Sequence, residues 1–131
     1  MKVLALDYGA ARTGVAVSDA TGTISRPLGV VERAASEAGL ARLRDIVHQE
    51  GAELVVVGLP LTLRGERGQQ AVETEWFVAM LRDALDVPVE TYDERFTTSL
   101  ASASPGSAPE DARAAAHLLE SYLGWTSTKS V

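Results

Sequence analysis

Four carboxylates stand where chemistry could be done: Asp7, Asp93, Glu94 and Asp111. Asp7 ends the apolar run Val3-Leu4-Ala5-Leu6. Asp93 and Glu94 end a second run that starts at Val87, and Asp111 heads the last predicted helix. Apolar side chains bury such runs and carry the acids to the carboxyl edge of a sheet, where open α/β sheets place ligands. Acids gathered at one point repel, and each resists ionisation unless a cation joins them. All-oxygen donors favour Mg²⁺ or Mn²⁺. Two such ions, roughly 4 Å apart, would activate water and stabilise the leaving oxygen of a phosphodiester.

Each acid can be weighed on its own register. Asp7 shares a side of its strand with Val3 and Ala5, and Gly9 lets the chain turn sharply after it. Asp111 lies at i, i+4, i+7 and i+11 with Ala115, Leu118 and Tyr122, the face that must pack on the sheet. Glu110 shares a polar face with Ala114, His117 and Ser121. Strand alternation aims Asp93 and Glu94 at opposite faces, so only one points toward Asp7 if the strand persists. A turn at Asp93 would bring both near; otherwise the structural role for the second is a salt bridge with Arg95, and the pattern does not rank the two. Asp19 ends a strand running opposite to the first, so it is expected at the far edge as a structural acid. His48 and His117 lack partners at metal-ligand spacing. Ser18, Thr98 and Ser99 have no histidine in a context that would make a nucleophile.

The formal charge is −6, from twelve Lys+Arg against eighteen Asp+Glu. That balance argues mildly against nucleic-acid binding, since phosphate contacts normally need a basic face, although distribution matters more than the sum. All basic residues except Lys2 and Lys129 are arginines, whose forks match phosphate oxygens. Arg12, Arg64, Arg67 and Arg95 fall in turns or element ends near the acidic edge, and are the expected substrate-binding residues.

The chain of 131 residues suits one domain. No apolar run approaches the roughly 18 residues that span a bilayer. The first residues read straight into a strand, and cysteine is absent, so a cytoplasmic protein without disulfides is expected. Strands are expected at 3–7, 14–18 and 28–32, with a turn around Arg26-Pro27. Ser36 caps a helix that Gly51 stops. The run 54–57 is a strand buried on both faces, and 62–68 a loop. A helix over 69–85 presents Trp76, Phe77, Met80 and Leu81 as its apolar stripe. A strand at 87–92 precedes a short helix from 97 or 98, a linker over 104–109, and a helix over 109–123. The domain is expected to span 1–124, with 125–131 a flexible tail. Three antiparallel strands followed by βα crossovers predict a mixed five-stranded sheet with helices on both faces, the ribonuclease H-like architecture.

The segment from Asp7 to Asp19 resembles the opening motif of the YqgF (also called RuvX) family. Val57-Gly58-Leu59-Pro60-Leu61 with Gly65 and Gly68 resembles the second block of that family. Pro88-Val89 with Asp93-Glu94-Arg95-Phe96-Thr97-Thr98 resembles the third, and Asp111 to Leu123 the last. The blocks keep family order and span nearly the whole chain. The resemblance implies a cytoplasmic, Mg²⁺-dependent endonuclease acting in 5′ maturation of 16S rRNA, in a family also described as Holliday-junction-resolvase-like. It implies Asp7, Asp93, Glu94 and Asp111 as the acidic site. Related junction resolvases carry an acid at the end of the fourth strand, where this chain has Gly58-Leu59-Pro60; here the acid must come from the fifth. Two further departures remove positive charge. The segment between Thr98 and Asp111 lacks the family's usual basic residues, and Ala11 stands where lysine is common. Precursor rRNA is the favoured partner, with junction DNA or a ribosomal precursor particle as others, and the chain a monomer or homodimer.

Other classes share some of these features. Actin-like and sugar-kinase ATPases also open with strand-Asp-x-Gly-hairpin, but need two such domains. A non-catalytic RNA-binding or transcription-associated protein fits an acidic chain no better than a nuclease does. A junction resolvase needs a symmetric dimer to cut two strands.

Overall fold

The computed structural model describes residues 1–62, 64–96 and 109–129. The strands are β1 (Val3–Asp7), β2 (Arg12–Ser18), β3 (Ser25–Glu32), β4 (Leu54–Leu59) and β5 (Val89–Asp93). The helices are α1 (Glu37–Glu50), α2 (Gln69–Ala84) and α3 (Glu110–Lys129), with a single 3₁₀ turn at Glu94–Phe96. The sheet order is β3-β2-β1-β4-β5. The pairs β1–β2 and β2–β3 are antiparallel, whereas β1–β4 and β4–β5 are parallel. This is the expected mixed sheet, and it places the carboxyl ends of β1, β4 and β5 side by side.

Alternation along the central strands feeds two cores. Leu4, Leu6, Val15, Val17, Val55 and Val57 join the α1 and α2 residues Leu43, Val47, Phe77 and Leu81. Val3, Ala5, Ala16, Leu54, Val56 and Tyr92 face Ala115, Leu118, Leu119 and Tyr122 of α3. The β1 and β4 runs are apolar on both faces because both faces are covered. Ser36 caps α1 by accepting from the Gly39 N–H at 3.0 Å, and Gly51 ends the helix in the left-handed region.

Four expectations need correction. First, Arg26-Pro27 is strand: β3 starts at Ser25. It is an edge strand, where a residue without an N–H is tolerated, and the pairing register shifts between Val15 and Ala16 opposite it. Second, Trp76 and Met80 lie outside the α2 stripe, 68% and 39% exposed. The buried face of that helix is Ala71, Thr74, Phe77, Val78 and Leu81. Third, α3 runs on to Lys129 through most of the expected tail. Trp125, one turn beyond Tyr122, packs against Tyr92 and Tyr122 with ring centroids 5.9 and 6.0 Å away. Fourth, β5 begins at Val89 and not at Val87. The short helix expected from 97 or 98 and most of the 104–109 linker lie outside the described residues.

Phe77 is 1% exposed and Trp76 68%, so truncating these neighbours should have unequal effects. Phe77→Ala is expected to cost about 3–5 kcal/mol and Trp76→Ala no more than about 0.5 kcal/mol. Urea unfolding measures both, and equal losses would contradict the assigned helix face.

Candidate acidic active site

Asp7 leaves β1 on the α3 side of the sheet, after Val3 and Ala5. Tyr8 turns to the opposite side and stacks on Phe77, with centroids 4.3 Å apart. The hairpin after it is tight. A Cβ on Gly9 would fall 2.5 Å from the Arg12 carbonyl oxygen, and the buried Thr13 hydroxyl bridges the Gly9 N–H and C=O at 3.4 Å each.

The strands beside Asp7 each carry a glycine on the α3 side. Gly14 pairs with Asp7 across the β1–β2 ladder. Gly58 lies one step beyond the Leu6–Val57 pair of the β1–β4 ladder. Both spaces are filled by other elements. A Cβ on Gly14 would fall 1.8 Å from the Asp111 carbonyl oxygen, so the first turn of α3 lies directly on β2. A Cβ on Gly58 would fall 2.6 Å from Glu94 Oε1, so the Glu94 side chain crosses the bare end of β4 to reach Asp7.

The choice between Asp93 and Glu94 follows from strand parity. Tyr92 faces α3, and Glu90 does so too, accepting from the Tyr122 hydroxyl at 2.8 Å. Glu94 continues that side and hydrogen-bonds Asp7. Asp93 takes the other side and is held by Arg95, whose Nε lies 2.9 Å and Nη2 2.6 Å from Oδ2.

Burial, then the charge of Asp7 and the hydrogen bond with it, push the Glu94 carboxyl up to about 7. Asp7 is also raised, first by burial and then by the Asp111 charge, against the lowering effect of the Glu94 hydrogen bond. Two carboxyls here share one proton. Asp111 stands near on an exposed ion pair with Arg12, Nε to Oδ2 3.3 Å. Among the described residues no three acids or histidines close on one point as a finished cage. The contact is the Asp7–Glu94 pair, with Asp111 within electrostatic reach.

A cleft of about 320 Å³ opens over the pair, bounded by Pro60 after β4 and by Gln70, Glu73 and Thr74 of α2. These α2 residues are polar, and the apolar stripe that marks the helix in the sequence does not mark them. Gly68, the uncapped helix start, was the available sign that this end faces open space. Of the expected substrate arginines, Arg12 pairs with Asp111 and Arg67 with Glu75, both exposed. Arg64 is exposed in the β4–α2 loop, and Arg95 is engaged by Asp93. Asp19 sits at the opposite edge, as expected. It accepts from the Thr23 and Ile24 N–H groups at 2.8 and 2.9 Å, which hold its carboxyl well below the usual range.

Comparison with known proteins fits this geometry. The family RuvX, described as a Holliday junction resolvase, matches residues 1–124. A protein of Desulforudis audaxviator is 42% identical over 132 residues, covering 94% of both chains. One of Chloroflexus aurantiacus is 47% identical over 96 residues, which are 73% of this chain and 63% of that protein. Both are named "Putative pre-16S rRNA nuclease". RuvC of T. thermophilus, solved in complex with a Holliday junction substrate, superposes with a TM-score of 0.61 over 95% of this chain and 96% of that one. Its identity is 21%, so the likeness is one of fold, the ribonuclease H-like fold.

Two outcomes test the site's electrostatics. The folded state keeps the Glu94 proton to about pH 7, whereas the unfolded chain releases it near 4.5. The folded state therefore binds more protons between those values, and metal-free stability falls as pH rises through them. Urea titrations at stepped pH should show this slope, and Glu94→Gln should flatten it. Gly58→Ala should drive the Glu94 carboxylate off Asp7 and lower its pKa, at a stability cost under about 1 kcal/mol. Carboxyl NMR titration reads this directly, and a Glu94 that still titrates near 7 in the variant would contradict the placement.

Proposed function

The chain belongs to the RuvX family, and from that premise we propose that it is a divalent-metal-dependent endonuclease acting in the 5′-end maturation of pre-16S rRNA. The observation that carries the reading is the Asp7–Glu94 pair beneath an open cleft, with Asp111 beside it. Hydrolysis of a phosphodiester needs negative oxygens brought together and positive charge supplied to them. The rRNA substrate rests on the names of relatives that match along most of this chain.

The residues present fit a hard cation. Asp7 and Glu94 hydrogen-bond, offer only oxygen, and are both raised first by burial and then by a neighbouring acid, Asp111 for Asp7 and Asp7 for Glu94, the state that a bound cation relieves. Asp7, Glu94 and Asp111 would hold Mg²⁺ or Mn²⁺, which when bound supplies Lewis acidity toward the scissile phosphate and an activated water. The protein's own part is to hold these carboxylates in register. β1 fixes Asp7, the glycine at 58 admits Glu94, and the first turn of α3 sets Asp111 over Gly14. A proton on Glu94 and a cation compete for the same oxygens, so activity should rise with pH through about 7. Arg12, beside Asp111, and Arg64, in the β4–α2 loop, are exposed and would meet flanking phosphates. Arg12 can exchange Asp111 for substrate because exposed pairs are worth at most about 1 kcal/mol.

No helix among the described residues is long and apolar enough to cross a membrane. On this reading the protein works in the cytoplasm, where its RNA is made, as a monomer or homodimer. The fourth strand ends in Gly58-Leu59-Pro60 and not in an acid, which favours the RNA substrate over a four-way junction.

The test is cleavage by purified protein, with Mg²⁺ or Mn²⁺, of a 5′-extended 16S rRNA fragment and of a four-way DNA junction. The RNA should be cut, and Asp7→Asn should lower the rate at least about 100-fold while RNA binding persists. Cutting of the junction alone would replace the rRNA reading with a resolvase, and cleavage that survives Asp7→Asn would remove the acidic pair from the mechanism.

A further inference from the structure

We propose that Asp93 and Arg95 form a positioning clasp that turns Glu94 into the cleft and ties the β4–α2 loop beside it, and that neither is a metal or substrate contact. The inference rests on Glu94 belonging to the active site. Both Asp93 oxygens are occupied. Arg95 Nε lies 3.1 Å from Oδ1 and 2.9 Å from Oδ2, and Nη2 lies 2.6 Å from Oδ2. The Arg95 backbone N–H also donates to Oδ1, at 2.9 Å. That bond closes the turn that contains Glu94, so one carboxylate fixes both ends of the step between β5 and the 3₁₀ turn. Forked, charge-assisted pairs of this kind are among the strongest hydrogen bonds proteins make. The side chains are 15% and 34% exposed for Asp93 and Arg95, so water screens the pair less than it screens Arg12 and Asp111.

The other side of the guanidinium meets the loop. Gly65 has φ +81°, and a Cβ there would lie 3.2 Å from Arg95 Nη1 and 3.4 Å from Nη2. The loop is itself closed by Thr62, whose C=O accepts from Gly65 N–H at 2.8 Å and whose hydroxyl accepts from Glu66 N–H at 3.0 Å. Pro60, at its start, borders the cleft. Arg95 thus spans from the strand that delivers Glu94 to the loop that forms another wall. A cation at Asp93 would have to displace a guanidinium from both oxygens, whereas at the hydrogen-bonded Asp7–Glu94 pair it would displace only a proton.

The experiment compares the full-length wild type with Asp93→Asn, Arg95→Ala, their double variant and Arg95→Lys. Three quantities are read: single-turnover cleavage of the 5′-extended rRNA at saturation, RNA affinity without divalent metal, and hydrogen exchange of residues 64–66 and 94–96. A clasp predicts that each single variant loses about 10–100-fold in the saturated rate with affinity held within about twofold. The double variant should be no worse than either single one. Arg95→Lys should be intermediate, since an ammonium cannot fork. Exchange should quicken at both segments in both single variants. Two results would overturn the proposal. The first is weaker RNA binding with a salt slope lower by about one in Arg95→Ala but not in Asp93→Asn, which makes Arg95 a phosphate contact. The second is a loss of Mn²⁺ affinity in Asp93→Asn like that in Asp7→Asn, with exchange unchanged, which makes Asp93 a ligand. Should the wild type cut no RNA, the nuclease reading fails and exchange alone decides the clasp: quickened in both single variants it stands, unchanged it falls.

Discussion

Two missing side chains, at Gly14 and Gly58, are the constraint on which the site depends. They flank Asp7 on neighbouring strands and on the same face of the sheet. Glycine inside a strand costs roughly 0.5–1 kcal/mol against alanine, and neither residue is needed for a positive φ. Their use is space. Over Gly14 comes the backbone of α3, and over Gly58 comes the carboxylate of Glu94. The two clashes differ in kind. At Gly14 a methyl group would strike backbone, which cannot yield without moving a helix. At Gly58 it would strike the Glu94 side chain from Cγ to Oε1, which can move only by leaving Asp7. The first glycine therefore guards the fold and the site together, and the second guards the site alone.

The acids around Asp7 are balanced unequally, and the inequality separates their roles. Asp93 is held by a short, forked, partly covered arginine pair, and its carboxyl is lowered chiefly by hydrogen bonding to Arg95. Asp111 is held by a longer, exposed pair, which solvent weakens. Among the described residues no arginine pairs with Glu94, and its charge is relieved by a proton held to about pH 7. A firm partner, a loose partner and a titratable proton are three degrees of availability. On the proposed reading, a cation entering the cleft would compete with the proton first and with Arg12 next, and would leave the Asp93–Arg95 pair in place. A chain with net charge −6 can in this way approach a polyanion without presenting four bare carboxylates to it.

Much of this was legible in the sequence, and the rest fails for identifiable reasons. Asp7 and Asp111 could be aimed because their neighbours, Val3 and Ala5 or Ala115, Leu118 and Tyr122, carry an unambiguous period. Asp93 and Glu94 could not be separated because β5 is short and its apolar residues fall on both sides. Tyr92 decides the matter only once its packing on α3 is seen. Trp76 misled because size and hydrophobicity were taken for burial, although Thr74, with its hydroxyl satisfied by the Gln70 carbonyl at 2.8 Å, is the buried residue. Pro27 read as a turn because its lack of an N–H matters only in an inner strand, and β3 is an edge. The approach of Gly65 to Arg95 depends on where the β4–α2 loop returns, which no local pattern carries.

The composition of α3 follows from the same demand for close approach. Its first half buries Ala112, Ala115 and Ala116, small residues that let the helix lie down on Gly14, and Ser25 on β3 donates to the Ala116 carbonyl at 3.0 Å. From Leu118 onward the buried residues are larger, Leu118, Leu119, Tyr122 and Leu123, and the Tyr122 ring meets Tyr92 of β5 edge-on with centroids 5.6 Å apart. Side chains graded from small to large wedge a helix against a sheet, because a packed interface leaves no room to level it. The narrow end of that wedge is the end that carries Asp111. Enlarging an alanine there would lift the acid from Asp7 even if the core found room for the added atoms. The alanine-rich stretch, the glycine opposite it and the reach of the last carboxylate are consequences of one packing geometry.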